Sequence, residues 1–247
     1  MIGLIAGDII GSPYRNNNTE DEKRHHFTLF ASSEKVTLDP QRRRASSRSY
    51  EAKPTAVTSG ALEVARWLLD TDRSAASLRQ CLEDGGVKRS PTPIEALAML
   101  SPVGEFAATA DEAVGLGAVA MTVLSSDTED IAGAQAWSRL CWMAAHGGTV
   151  REMSEVAREE FGESLGRTPA EYRALLTGAF VENDSRTLTL GEGKAAVDWR
   201  TVLPAVITLA LGGESCEDVV RRAVALGGDS STVAAPAGAL SEPLFKD

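Results

Sequence analysis

Apolar residues recur at helical spacing along nearly the whole chain, and this period restricts the possible folds more than any other feature. Leu62, Ala65 and Leu69 form one set, Trp137, Leu140, Cys141 and Ala144 another, and Val206, Leu209 and Ala210 a third. Each places a stripe on one face of a helix. Start and stop signals agree with that period. Thr149 with Glu152 has capping-box spacing ahead of Met153, Val156 and Ala157, and Ser215 with Asp218 stands likewise ahead of Val219, Val220 and Ala223. The pairs Gly85-Gly86, Gly147-Gly148 and Gly212-Gly213 mark helix ends. Alternation of the strand type is confined to Arg186 to Leu190, which suits a turn or small hairpin as well as a strand. No repeat of solenoid length is present. The expectation is a single all-α domain over residues 1–247 with roughly ten helices.

A chain of 247 residues, 43% hydrophobic, can bury a sizeable core. It has no apolar run of about 18 residues, so a membrane span is not expected. The stretch from Met1 to Ile10 lacks a basic flank and is interrupted by Asp8, which argues against a signal peptide and for a cytoplasmic location. Cys81, Cys141 and Cys216 are odd in number and scattered, and read as buried thiols. A net charge of −10 disfavours nucleic acid as a partner. The charge is uneven, however. Residues 15–53 hold nine Lys/Arg against six Asp/Glu, including Arg42-Arg43-Arg44 and two of the three His, and read as a variable, solvated loop. Trp67, Trp137, Trp142 and Trp199 sit at helical spacing and read as core rather than as stacking platforms.

Two segments resemble ligand-facing turns. In Gly3-Leu4-Ile5-Ala6-Gly7-Asp8-Ile9-Ile10-Gly11-Ser12, a glycine every fourth residue makes a flat helix face that a second helix can approach. In Gly227-Gly228-Asp229-Ser230-Ser231-Thr232, paired glycines free the backbone to turn, and Asp229 with three hydroxyls opens the next helix. Oxygen-rich groups at a helix start suit an N-cap, an anion or a hard cation.

Four blocks in order then resemble the ADP-ribosylglycohydrolase family across essentially the whole chain. They are the N-terminal Gly-x-Ile-x-Gly-Asp-x-x-Gly-Ser, Leu100-Ser101-Pro102-Val103-Gly104, Ile131-x-Gly133-Ala134-Gln135-Ala136, and Ala223-Val224-Ala225-Leu226-Gly227-Gly228-Asp229. The resemblance implies a compact orthogonal helical domain with a central cleft. It also implies two magnesium ions in active members, and hydrolysis of ADP-ribose from protein side chains, typically arginine.

The departures fall on the family's site positions. A glutamate after the first block looks like Arg15, the motif Thr-Asp-Asp-Thr registers on Thr55-Ala56-Val57-Thr58, and the closing Gly-Gly-Asp-x-Asp-Thr looks like Gly227 to Thr232 with Ser231 for the second aspartate. Of the five carboxylates in the family's metal and catalytic set, Asp229 alone remains as catalytic and metal candidate. One carboxylate among hydroxyls is a weak magnesium host, and Arg15 repels a cation. The expected ligand-binding set is therefore Arg15, Thr55, Thr58, Ser231 and Thr232, with no cofactor, or Mg²⁺ only where activity is retained. Arg15 suits a bidentate pair with the ligand's pyrophosphate. The family's His-x-His-Pro-Glu corresponds to Ser125-Ser126-Asp127-Thr128-Glu129, and its Gly-Asn to Pro93-Ile94.

The first reading is a pseudoenzyme that binds ADP-ribose or an ADP-ribosylated protein. The second is a hydrolase with a rebuilt site, drawing on Asp127, Glu129 and Asp130 or on Thr19-Glu20-Asp21-Glu22. The third is an interaction or immunity protein that blocks an ADP-ribosyltransferase, its acidic surface suiting a basic partner.

Overall fold

The computed structural model describes residues 1–14, 52–87, 91–177 and 198–246, with the backbone of 180–182 and 188–190. Twelve α-helices lie in these stretches. They are α1 (Ile2–Gly11), α2 (Ala56–Asp70), α3 (Ala75–Asp84), α4 (Pro93–Met99), α5 (Pro102–Phe106), α6 (Ala110–Leu124), α7 (Thr128–Ala145), α8 (Val150–Phe161), α9 (Pro169–Leu176), α10 (Trp199–Leu211), α11 (Cys216–Leu226) and α12 (Ser230–Leu244). The only sheet among the described residues is a hairpin of β1 (Phe180–Glu182) and β2 (Leu188–Leu190), in which Phe180 faces Leu190 across the antiparallel pair. The fold is all-α, and Leu188–Leu190 of the alternating segment form one strand of the antiparallel pair.

Capping chemistry explains where the helices begin. Thr149 accepts from the Glu152 N–H while Glu152 reaches back to Thr149, as the spacing predicts. Thr92 with Glu95 and Thr168 with Glu171 form the same reciprocal box, each with a proline at the first helical turn. Ser215 caps α11 by accepting from the Asp218 N–H. Gly86 and Gly147 end α3 and α7 with positive φ, at 70° and 80°.

One continuous apolar core draws on all twelve helices, and Trp67, Trp137 and Trp199 belong to it. Trp142 is partly buried against its edge. Cys81 and Cys141 are buried free thiols, and Cys216 is a partly exposed one. Burial pushes the Cys141 thiol far above the ordinary cysteine range. No described helix is long and apolar enough to cross a membrane.

Helix α12 sits at the centre, packed against α1, α4, α7, α10 and α11, and its residues from Ser230 to Ala237 are buried without a break. The α1 glycines make that position possible. A Cβ at Gly3 would lie 2.2 Å from the Gly238 carbonyl oxygen, one at Gly7 2.0 Å from that of Ala234, and one at Gly11 2.6 Å from that of Ser230. The pairing runs antiparallel, so the C-terminal end of α1 lies beside the N-terminal end of α12. The small residues Ser230, Ala234 and Gly238 on α12 repeat every four residues, in step with Gly11, Gly7 and Gly3.

Candidate functional site

The close α1–α12 contact brings three helix ends together: the last turn of α1, the first turn of α2 and the first turn of α12. Asp8, on α1, is fully buried. A buried carboxylate is costly unless donors surround it, and the head of α2 supplies them. The Thr55 N–H and the Thr58 hydroxyl donate to Asp8 Oδ2 at 2.7 and 2.6 Å, and the Thr55 hydroxyl donates to Oδ1 at 2.7 Å. Thr55 is also the N-cap of α2, its hydroxyl oxygen accepting from the Val57 N–H at 3.2 Å. The Asp8 carboxylate therefore lies at the positive end of that helix. Beside it, the Lys53 N–H donates to Ser12 Oγ at 3.0 Å, holding the entry to α2 against the end of α1.

Asp229 is the N-cap of α12. Gly227 and Gly228 precede it with φ of 94° and 70°, a region that side chains disfavour. A Cβ at Gly228 would also lie 2.6 Å from the Leu176 carbonyl oxygen. The Asp229 carboxylate accepts from Ser231 Oγ at 3.0 Å and from the Thr232 N–H at 3.4 Å, while its carbonyl accepts from Thr232 Oγ1 at 2.8 Å. Ser230 Oγ donates to the Tyr14 carbonyl at 3.3 Å, linking the start of α12 to the turn after α1.

The structure thus brings Thr55, Thr58, Asp229, Ser231 and Thr232 to neighbouring helix ends, and Arg15 lies outside the described residues. The hydroxyls do not present themselves as a ligand-binding array. Thr58, Ser231 and Thr232 are buried, and all four threonine and serine hydroxyls donate to Asp8 or Asp229 as given above. Val57, where the resemblance places an aspartate, is fully buried with Leu4, Ala61, Ala98 and Ala235 in a small apolar cluster beneath the site. Pro93 starts α4, and Ile94 goes into the main core.

Magnesium requires near-octahedral oxygen ligation, with carboxylates and waters. Among the described residues no group of three or more His, Cys, Asp or Glu side chains is placed to hold a metal ion. The two carboxylates at this site already accept from hydroxyls and main-chain N–H groups. The described donors therefore do not fit the ion.

The acids proposed for a rebuilt site are also engaged. Asp127 caps α7 by accepting from the Glu129 N–H at 2.9 Å, and Glu129 pairs with Arg200. Asp130 is buried, with the Ser125 hydroxyl donating at 2.6 Å and the Trp199 indole N–H at 2.9 Å. Thr19 to Glu22 lie outside the described residues.

Sequence reading placed Asp8 in a glycine-rich, ligand-facing segment and in the family's first block but did not name it among the site residues. The available signal was an acid on an otherwise apolar, glycine-faced helix, which must find donors when buried.

A family model described as ADP-ribosylglycohydrolase matches residues 1–241. Among solved structures, one named "ADP-ribosylglycohydrolase-related protein complex" is similar with a TM-score of 0.62 and 18% identity, over 99% of this chain and 85% of that one. At that identity the likeness speaks for the fold. Among curated proteins nothing matches. With the family model spanning all but the last residues, and with the glycine-faced α1 and the Gly-Gly-Asp cap of α12 in place, the chain belongs to the ADP-ribosylglycohydrolase family.

Proposed function

We propose that this protein is a single-domain ADP-ribosylglycohydrolase relative that binds ADP-ribose or an ADP-ribosylated protein, arginine-linked as in the family, and has lost metal-dependent hydrolysis. Of the segment 15–53 that the sequence marks as variable, residues 15–51 lie outside the described residues. The observation that carries this reading is the head of α2. Where a metal ligand is expected, Val57 is an apolar plug packed on Leu4, Ala61, Ala98 and Ala235. The flanking Thr55 and Thr58 turn inward to Asp8. An aspartate at position 57 would be buried with no donor in that apolar cluster, so this end of the helix is built for packing. Asp229, Ser231 and Thr232 keep the shape of the α12 turn, and Arg15 is assigned to the ligand's pyrophosphate.

Isothermal titration of the full chain with ADP-ribose, in Mg²⁺ and in excess chelator, tests the binding claim. Saturable binding of equal affinity in both buffers is expected. Binding that vanishes with the chelator contradicts the loss of metal dependence, and no binding in either buffer contradicts the ligand assignment.

A further inference from the structure

We propose that the cavity between α7, α8 and the start of α10 receives a guanidinium group, an arginine side chain presented by a partner protein. The cavity is open to solvent, measures about 250 Å³ and is lined by Gly133, Phe161, Trp199, Glu129, Glu160 and Arg200 among others. It shares no lining residue with the Asp8 and Asp229 cluster, so the inference stands whether or not ADP-ribose binds there.

The floor is aromatic and fixed. Trp199 is 9% exposed and Phe161 8%, and their rings meet edge to face, with centroids 6.3 Å apart. A Cβ at Gly133 would lie 2.9 Å from the Trp199 ring, so the glycine lets the indole lie against the α7 backbone. The hydrogen bond from its N–H to Asp130 then sets the orientation of the ring.

The molecule already places one guanidinium on this floor. Arg200 Cζ lies 4.8 Å from the Trp199 ring centroid. Its nitrogens pair with Glu129 and with Asp198, the latter at 3.3 Å. A planar cation over an indole, gripped by carboxylates, is the arrangement in which guanidinium outperforms ammonium. The rim has room for a second cation. Glu129 and Asp198 pair with Arg200, Glu160 adds a third carboxylate on the cavity wall against that single positive charge, and Glu160 has no ion pair or hydrogen bond among the described residues. An anion entering here would face that carboxylate excess, and a neutral side chain would gain nothing from it. The Arg200 side chain is 44% exposed, so its ion pairs are solvent-screened and each worth little, and an incoming arginine takes the ring face while Arg200 moves outward.

The test uses the full ¹⁵N-labelled chain, titrated with N-acetyl-arginine methylamide, its neutral citrulline counterpart and the lysine analogue. The Trp199 indole N–H resonance, assigned from Trp199→Phe, is the reporter. The arginine probe should shift that resonance saturably, and the citrulline and lysine probes should shift it little. Arg200→Ala removes the resident competitor and should tighten binding about fivefold, the equivalent of one exposed cation–π contact. Glu160→Gln should weaken binding about twofold to fivefold. Both substitutions are on the surface, and unchanged thermal unfolding will confirm the fold. No shift of the Trp199 resonance, equal binding of the lysine probe, or unchanged or weaker binding by Arg200→Ala would overturn the proposal. ADP-ribose titration of the same Arg200→Ala protein should match the parent, so failure here is distinguishable from failure at the other site.

Discussion

Asp8 is the residue whose removal most directly probes the junction of α1 and α2. Its fully buried carboxylate accepts three hydrogen bonds of 2.6 to 2.7 Å, the one from Thr58 buried and the two from Thr55 partly buried. Asp8→Ala leaves the Thr55 N–H, which cannot rotate, without an acceptor, whereas the two hydroxyls can turn to main-chain carbonyls. A partly buried N–H left without its acceptor costs about 1 kcal/mol, and two lost charge-assisted bonds add about 1 kcal/mol each, so the total loss should be about 3 kcal/mol. Asp8→Asn keeps one carbonyl oxygen for the Thr55 N–H and the Thr58 hydroxyl, and its amide can donate to Thr55 Oγ1. Its cost should be about 1–2 kcal/mol. Thr58→Val removes a single donor at constant shape and should cost about 1 kcal/mol. Urea unfolding followed by far-ultraviolet circular dichroism gives all three values. The double variant Asp8→Ala/Thr58→Val should fall short of additivity by about 1 kcal/mol, because the second change removes a bond the first has already broken. An Asp8→Ala protein within about 0.5 kcal/mol of the parent, or strict additivity, would refute the clasp.

The α1–α12 contact predicts opposite outcomes at two glycines. Gly7→Ala, whose methyl would lie 2.0 Å from the Ala234 carbonyl oxygen, should cost about 3 kcal/mol in the same unfolding assay. Gly115→Ala, in the exposed middle of α6 with nothing within 4 Å, should stabilise by about 0.5–1 kcal/mol. Cys141, buried and with its thiol held in the protonated form by burial, should resist iodoacetamide until the chain unfolds, read by mass spectrometry. Hydrogen bonds from the Thr149 side chain and main chain hold the Glu152 carboxyl below the usual glutamate range, and the main chain and side chain of Thr168 do the same for Glu171. Depressed folded values mean that this contribution is present above the unfolded glutamate value and lost as pH falls through the folded one. The double variant Glu152→Gln/Glu171→Gln should therefore lose less stability on acidification than the parent.

Much of this architecture was readable from local pattern. The capping pair Thr149 and Glu152, the Gly-Gly helix ends and the flat glycine face of α1 each report on a few neighbouring residues, and each appears in the structure. The partner of that glycine face was also written in the chain, since Ser230, Ala234 and Gly238 repeat with the same spacing. The chemistry of the site was less legible because it depends on direction. Helical period places Thr55 and Thr58 at the start of α2, but it does not say that their hydroxyls point to an acid 47 and 50 residues earlier. Asp130 reads from the sequence as a candidate acid of a rebuilt site, and in the structure it is the acceptor that orients Trp199, 69 residues away. Such pairings are set by how helices cross, which no local window contains.

The central claim is tested most directly by measuring ADP-ribose release from an arginine-ADP-ribosylated protein incubated with the full chain and Mg²⁺. The account predicts no release above the buffer control at any Mg²⁺ concentration. Mg²⁺-dependent release that disappears in Asp229→Ala would contradict it.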